Sequence, residues 1–173
     1  VATGSVLFSP AAAVLPDGSA SNAAPAMQRV KSSASAPGIY ALQLAYDAST
    51  EEWACWSFRM PADYASGPTA KILYKMASAT SGGVAWDVRV SATSDGDSQD
   101  VDAQDFASAN VGTATVPGTA GYLDEVSVTL TNADSVTAGD FVVVRVARAV
   151  ADAADTATGD AELLAVNLEY TTT

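Results

Sequence analysis

Gly83-Val84-Ala85-Trp86-Asp87-Val88-Arg89-Val90-Ser91 decides the fold. Val84, Trp86, Val88 and Val90 share one phase, and Ala85, Asp87, Arg89 and Ser91 share the other. Successive side chains on a strand point to opposite faces, so this period of two predicts a strand with one apolar and one polar face. The preceding Ser81-Gly82-Gly83 predicts a tight hairpin turn.

The same period continues in both directions. Tyr40, Leu42, Leu44 and Tyr46 alternate with Ala41, Gln43 and Ala45 until Asp47-Ala48-Ser49-Thr50 breaks the pattern. Trp56, Phe58 and Met60 alternate with Ser57 and Arg59 and stop at Pro61. Ile72, Tyr74 and Met76 face Leu73 and Lys75, apolar enough on both sides for a central strand. Toward the carboxyl end, Val111–Val116 predicts an edge strand closed by Pro117-Gly118. Val126, Val128 and Leu130 alternate next, Phe141–Arg148 predicts a strand buried on both faces, and Leu163–Tyr170 predicts the last strand. Helical spacing occurs only over Asp102–Ala109, through Ala103, Phe106 and Ala107. Eight or nine short strands punctuated by Gly, Pro and Asp predict an all-β fold. The expected form is a single-domain, jelly-roll-like β-sandwich of about eight strands. A chain of 173 residues fits one such domain.

Residues 1–38 read differently. After Val6-Leu7-Phe8, the stretch Ser9–Gly38 is rich in Ala and Ser and holds Pro10, Pro16, Pro25 and Pro37, which forbid a long helix. The expectation is an extended amino-terminal arm over 1–38 with short strands, one near Met27–Lys31, followed by the sandwich over 39–173. The arm either lies across its own domain or reaches a neighbouring subunit, which makes Val6, Leu7 and Phe8 candidate contacts. Trp53 joins them, because it is out of phase with Trp56 and sits beside Glu51 and Glu52.

Charge and composition exclude several functions. Eight basic against twenty acidic residues give a formal net charge of −12, which opposes displacement of phosphate counterions and hence nucleic-acid binding. Apolar runs such as Phe141–Val144 are strand-length at most, so no membrane span is expected. The first five residues, Val1-Ala2-Thr3-Gly4-Ser5, lack the basic and apolar regions of a secretory leader. The chain contains no histidine, which removes triads of the Ser-His-Asp and Cys-His kinds and the usual neutral-pH base. Cys55, the single cysteine, reads as a packed thiol between Trp53 and Trp56. Asp87, Glu125 and Glu169 are the acids placed on strands, and no spacing selects a catalytic pair among them. No enzyme and no cofactor is expected.

Asp95, Asp97 and Asp100 are the weak calcium candidates, but Asp100 stands where an EF-hand loop needs glycine and Phe106 where it needs a bidentate glutamate. A solvated loop is the plainer reading, and the same holds for Asp152, Asp155 and Asp160. A sugar platform could use Trp53, Trp56, Trp86 or Tyr122, yet Trp56 and Trp86 keep the core phase. The strand cations Arg59, Lys75, Arg89 and Arg145 are expected to pair with carboxylates.

A set of turn and strand segments resembles small single-domain proteins encoded beside head and tail genes of tailed bacteriophages. The segments are Leu15–Gly18, Asn22–Pro25, Phe58–Tyr64, Ser78–Gly82 with Val84–Trp86, Pro117–Gly121, Ala138–Asp140 and Asp155–Ala161. The resemblance runs from about Leu15 to Tyr170 and carries no catalytic residue. It implies a virion structural protein, foremost a capsid decoration or cementing protein that binds the major capsid protein and stabilises the head. Such a protein assembles in the host cytoplasm, and a trimer is the expected homo-oligomer. A carbohydrate- or receptor-binding jelly-roll module of a tail or fibre is the alternative.

Overall fold

Alternating side chains build ten strands in the computed structural model, which describes residues 2–33 and 35–173. Val1 of the amino-terminal quintet and Ala34 of the Pro/Ala/Ser stretch lie outside the described residues. The strands are β1 (Thr3–Phe8), β2 (Ala26–Lys31), β3 (Tyr40–Tyr46), β4 (Trp53–Arg59), β5 (Tyr64–Met76), β6 (Gly83–Thr93), β7 (Asn110–Thr115), β8 (Leu123–Thr129), β9 (Phe141–Arg148) and β10 (Ala161–Thr172). The fold is an all-β sandwich of two antiparallel sheets. One sheet runs β2-β3-β10-β5-β8, and the other runs β4-β9-β6-β7.

The long strand β10 organises the first sheet. Its whole length pairs with β5 on one side. Its other side is shared: β3 pairs over Leu163↔Leu44, and β1 takes over from Phe8↔Val166 to Thr3↔Thr171. Residues 3–8 of the expected arm are therefore a strand of the first sheet, paired with β10 alone. Further along, Val14 exchanges backbone hydrogen bonds with Cys55 at 2.8 and 3.0 Å and covers the outer edge of β4. Residues 26–31 form β2, which pairs with β3 alone.

The core explains the two in-phase tryptophans. Trp86 is fully buried and meets Tyr46 and Tyr74 edge-on, with ring centroids at 5.1 and 5.7 Å. Trp56 is buried and stacks on Phe8 at 5.9 Å, and Phe8 also touches Phe58 at 5.1 Å. Such pairs add about 0.5–1.5 kcal/mol each beyond burial.

Three expectations change. Ser81-Gly82-Gly83 does not close a hairpin, because β5 and β6 belong to different sheets: Met76 pairs with Ala161, and Gly83 with Thr115. The loop crosses the sandwich end instead, and Gly83 is needed because a Cβ there would lie 2.4 Å from the Ala154 carbonyl oxygen. The helical spacing over Asp102–Ala109 yields only a 3-10 turn at Val101–Ala103, since Ala107 N–H donates to the Val90 carbonyl at 2.9 Å and ties the chain down as a loop. The loop over Asp152, Asp155 and Asp160 is not uniformly solvated. The Asp155 carboxylate is buried against Arg148, whose Nε and Nη2 donate to it at 3.0 and 2.8 Å. Arg148 also donates to the carbonyls of Ala157 and Gly159 at 2.6 and 2.7 Å.

The sheets meet where β7 leans on β8. Gly112 on β7 has no room for a side chain: a Cβ would lie 2.7 Å from Val128 Cγ2 and 3.0 Å from Val126 Cγ1. A Gly112→Val variant should lose about 1–3 kcal/mol through overpacking. An Arg148→Ala variant should lose about 3–5 kcal/mol by leaving the Asp155 carboxylate buried without its cation. Urea denaturation of both variants beside the parent chain checks these values, and unchanged midpoints would contradict the packing described.

Candidate functional site

Three surfaces carry polar or exposed apolar side chains that the core does not use. The first is the outer face of the second sheet. Register places Arg89 directly opposite Arg145, so two guanidinium groups share a strip that needs anions. Asp87 Oδ2 accepts from Arg89 Nε at 2.9 Å and from Arg145 Nη1 at 3.0 Å. Glu51 Oε1 accepts from Arg145 Nη2 at 2.6 Å, and the Arg145 guanidinium sits 5.4 Å from the centre of the Trp53 ring. Trp53 Nε1 donates to the Ser21 carbonyl at 3.1 Å. Trp53 is thus half-buried under a cation, with its polar edge satisfied. One atom of this strip stays unmatched: Asp87 Oδ1 is buried without a hydrogen-bond partner. Beneath it, the thiol of Cys55 is pushed up to about 11 by burial, with Arg145 pulling weakly the other way.

Of the remaining named acids and cations, Glu169 and Lys75 are spent on pairing. Glu169 pairs with Lys71 at 3.1 Å, and Glu162 pairs with Lys75. Arg59 departs from the expected carboxylate pairing, because its Nε donates to the Gly139 carbonyl at 2.9 Å. Glu125 is exposed on β8.

The second surface is the loop joining β6 to β7. Asp95, Asp97, Asp100, Asp102 and Asp105 are all exposed along it. Asp100 Oδ1 accepts from Asp102 N–H at 3.0 Å and so caps the 3-10 turn, while Asp97 Oδ2 accepts from Ser94 N–H at 3.3 Å. Of the calcium candidates, Asp97 and Asp100 therefore do local turn work, and Asp95 stands exposed at the edge of a groove. Among the described residues no group of three metal-binding side chains is gathered closely enough to hold an ion. The loop lies over the outer face of the second sheet and leaves an open groove of about 390 Å³. Val101, Phe141 and Thr93 line its floor, with Asp95, Arg59 and Gly139 at the rim. Asp140 fixes that rim: it accepts from Ser94 Oγ at 2.7 Å, from Thr137 N–H at 2.6 Å and from Thr137 Oγ1 at 3.0 Å.

The third surface is the β2–β3 hairpin. Only Leu44–Tyr46 of β3 reach β10, because β1 occupies the rest of that flank. Tyr40 and Leu42 keep the phase of Leu44 and Tyr46, yet they are exposed, since they lie beyond the opposing sheet. Cross-strand register puts Lys31 opposite Tyr40 and Arg29 opposite Leu42 on the same face, with Met27 alongside. Lys31 Nζ sits 5.9 Å from the centre of the Tyr40 ring.

The other candidate contacts separate. Phe8 is core, contrary to its expected part in subunit contact, because stacking on Trp56 and Phe58 buries it. Val6 is half-buried against the core, and Leu7, on the opposite phase, is 69 % exposed. Tyr122 is exposed in the turn before β8, beside exposed Leu123. Sequence reading missed the hairpin face, although Met27, Arg29 and Lys31 alternate there as two cations in an acidic chain.

No family model matches this chain, and no curated protein matches it. Among solved structures it is similar to the C-terminal CBM6 of LamC, a marine laminarinase from Zobellia galactanivorans, at 14 % identity and TM-score 0.44, over 95 % of this chain and 98 % of that one. It is also similar to a cycloisomaltooligosaccharide glucanotransferase from Paenibacillus at 10 % identity and TM-score 0.46, over 93 % of this chain and 18 % of that one. A third similarity is to TmCBM61 in complex with β-1,4-galactotriose, at 13 % identity and TM-score 0.40, over 96 % of this chain and 86 % of that one. Likenesses this distant bear on neither ligand nor role.

Burial opposes the charge on Asp140, but the bonds from Ser94 and Thr137 outweigh it and hold its carboxyl below the ordinary value of 3.8. A group depressed in the folded state stabilises the fold above its unfolded value, and that contribution fades as pH falls through the folded one. An Asp140→Asn variant should therefore be less stable than the parent at neutral pH, with the gap closing below the ordinary aspartate value. Thermal melts across that range test this, and a gap independent of pH would refute it. Cys55 should react with Ellman's reagent far more slowly in the folded chain than in urea at the same pH.

Proposed function

We propose that the chain is a non-catalytic structural component of a tailed-bacteriophage virion, foremost a decoration or cementing protein on the major capsid lattice. The observation that carries this reading is the hairpin: a face in core phase, made of Tyr40, Leu42, Met27, Arg29 and Lys31, that the chain itself leaves uncovered. A contiguous exposed apolar face rimmed by charge is the mark of a contact surface. The segments that resemble phage proteins also support the reading in a particular way. Gly82, Asp140 and Asp155 belong to those segments, and each is fixed by close packing or hydrogen bonds within this sandwich. The resemblance thus concerns how the chain turns, and an assembly protein needs little beyond a rigid fold and a contact face.

Support for a non-catalytic role comes from side chains already committed elsewhere. The chain lacks histidine, burial raises its thiol, and Asp87 and Glu169 are held by arginine and lysine. Mass spectrometry and antibody labelling of purified particles of the encoding phage test the proposal. The chain should be a stoichiometric component, with label on the head. Its absence from washed particles would overturn the reading.

A carbohydrate- or receptor-binding module of tail or fibre is the second reading. It is favoured by the strip of Trp53, Arg145 and Arg89 on the outer face of the second sheet, since a half-exposed aromatic ring beside guanidinium donors suits a sugar ring and its hydroxyls. Glycan-array binding that is lost in a Trp53→Ala variant would select this module over the capsid role.

A further inference from the structure

The hairpin, on which the proposed assembly role rests, is complementary to the acidic loop, so the occupant of that contact face can be a second copy of this chain. Eight basic residues face twenty acids. Lys71, Lys75, Arg89, Arg145 and Arg148 are in salt bridges, and Arg59 is tied to a carbonyl. Arg29, Lys31 and Arg59 are thus the cations without a carboxylate among the described residues; Arg59 is held at the groove rim by the Gly139 carbonyl, whereas Arg29 and Lys31 stand together on one exposed apolar face. The acids without a basic partner are most densely placed at Asp95–Asp105, beside the groove floored by Val101 and Phe141, which are 50 % and 42 % exposed.

We propose that the β2–β3 hairpin of one copy docks in the groove beneath the Asp95–Asp105 loop of a second copy. Tyr40 and Leu42 would cover Val101 and Phe141, and Arg29 and Lys31 would meet the aspartates of the rim. Charge complementarity selects this occupant. A chain with a net charge of −12 repels its own copies over most of its surface, so a self-contact is most favourable where the two cations of the hairpin meet the densest acids. The two patches lie on different sheets and are unlike each other, so the contact is heterologous and builds a closed ring or an open row rather than a two-fold dimer. The inference stands whether the assembled chain decorates a capsid or presents a sugar-binding face.

Deleting residues 1–38 cannot test it, because the deletion also removes β1 from the sandwich. Charge reversal at exposed positions can. Sedimentation velocity of the full chain, from low to high micromolar concentration at low salt, should show reversible association that weakens as salt is added. The double variant Arg29→Glu with Lys31→Glu, and separately Asp95→Lys with Asp105→Lys, whose carboxylates line the groove and cap no turn, should each weaken self-association by about tenfold or more, with unchanged circular dichroism. An equimolar mixture of the two variants should associate again, each supplying the patch that fits the other. A parent chain that stays monomeric throughout, or variants that associate like the parent, would overturn the proposal. So would failure of the mixture to recover association.

Discussion

A guanidinium with no exposed atom holds the two sheets in their mutual arrangement. Arg148 ends β9 in one sheet, and its donors reach Asp155 and the carbonyls of Ala157 and Gly159, which lead into β10 of the other. Asp155 in turn accepts from Ala85 N–H of β6 at 3.0 Å. A buried ion pair of this kind gains little net stability against an apolar substitute, because desolvation consumes most of the attraction. Its value here is geometric. The pair delivers the chain to Ala161, where β10 begins and pairs with both Tyr46 and Met76. From that start β10 sets the register of β1, β3 and β5.

The sharing of one flank of β10 by β1 and β3 has a consequence for the surface. Because β1 fills the later part of that flank, β3 is peeled away with β2, and side chains in core phase are left without a core. The chain accepts the cost of exposing Ile39, Tyr40 and Leu42 in the same place where it keeps two cations free. Elsewhere it behaves in the opposite way, matching nearly every cation internally and leaving acids on the outside. The result is an asymmetry: one basic apolar projection on an acidic body.

Much of the sandwich could be read from side-chain order. The alternation through Val84–Ser91 survives as β6, with Trp86 in the core, and Phe141–Arg148 is the central β9 between β4 and β6, although its outer face leaves Phe141 exposed and Val143 half-buried rather than covered. Trp56 and Trp86 follow their phase into the interior because apolar area of that size is not left in water when a second sheet is available. Phase also gave the wrong answer where its premise failed. Tyr40 and Leu42 share the phase of Leu44, but a strand's period says which way a side chain points and not whether another layer stands opposite. The polar stretch from Asp152 to Asp160 misled for a related reason, since a lone Asp looks the same whether it meets water or a distant arginine.

By itself, the order of residues determined an all-β chain, the place of most strands and turns, an acidic surface and the lack of histidine chemistry, because these depend on local periodicity and composition. Only the tertiary structure decided that Gly83 begins a crossing between sheets, that residues 3–8 are part of the sandwich, and that Arg148 finds Asp155. It alone left the β2–β3 face uncovered. Those outcomes depend on which distant segments compete for the same flank of β10, and no short-range pattern encodes that competition.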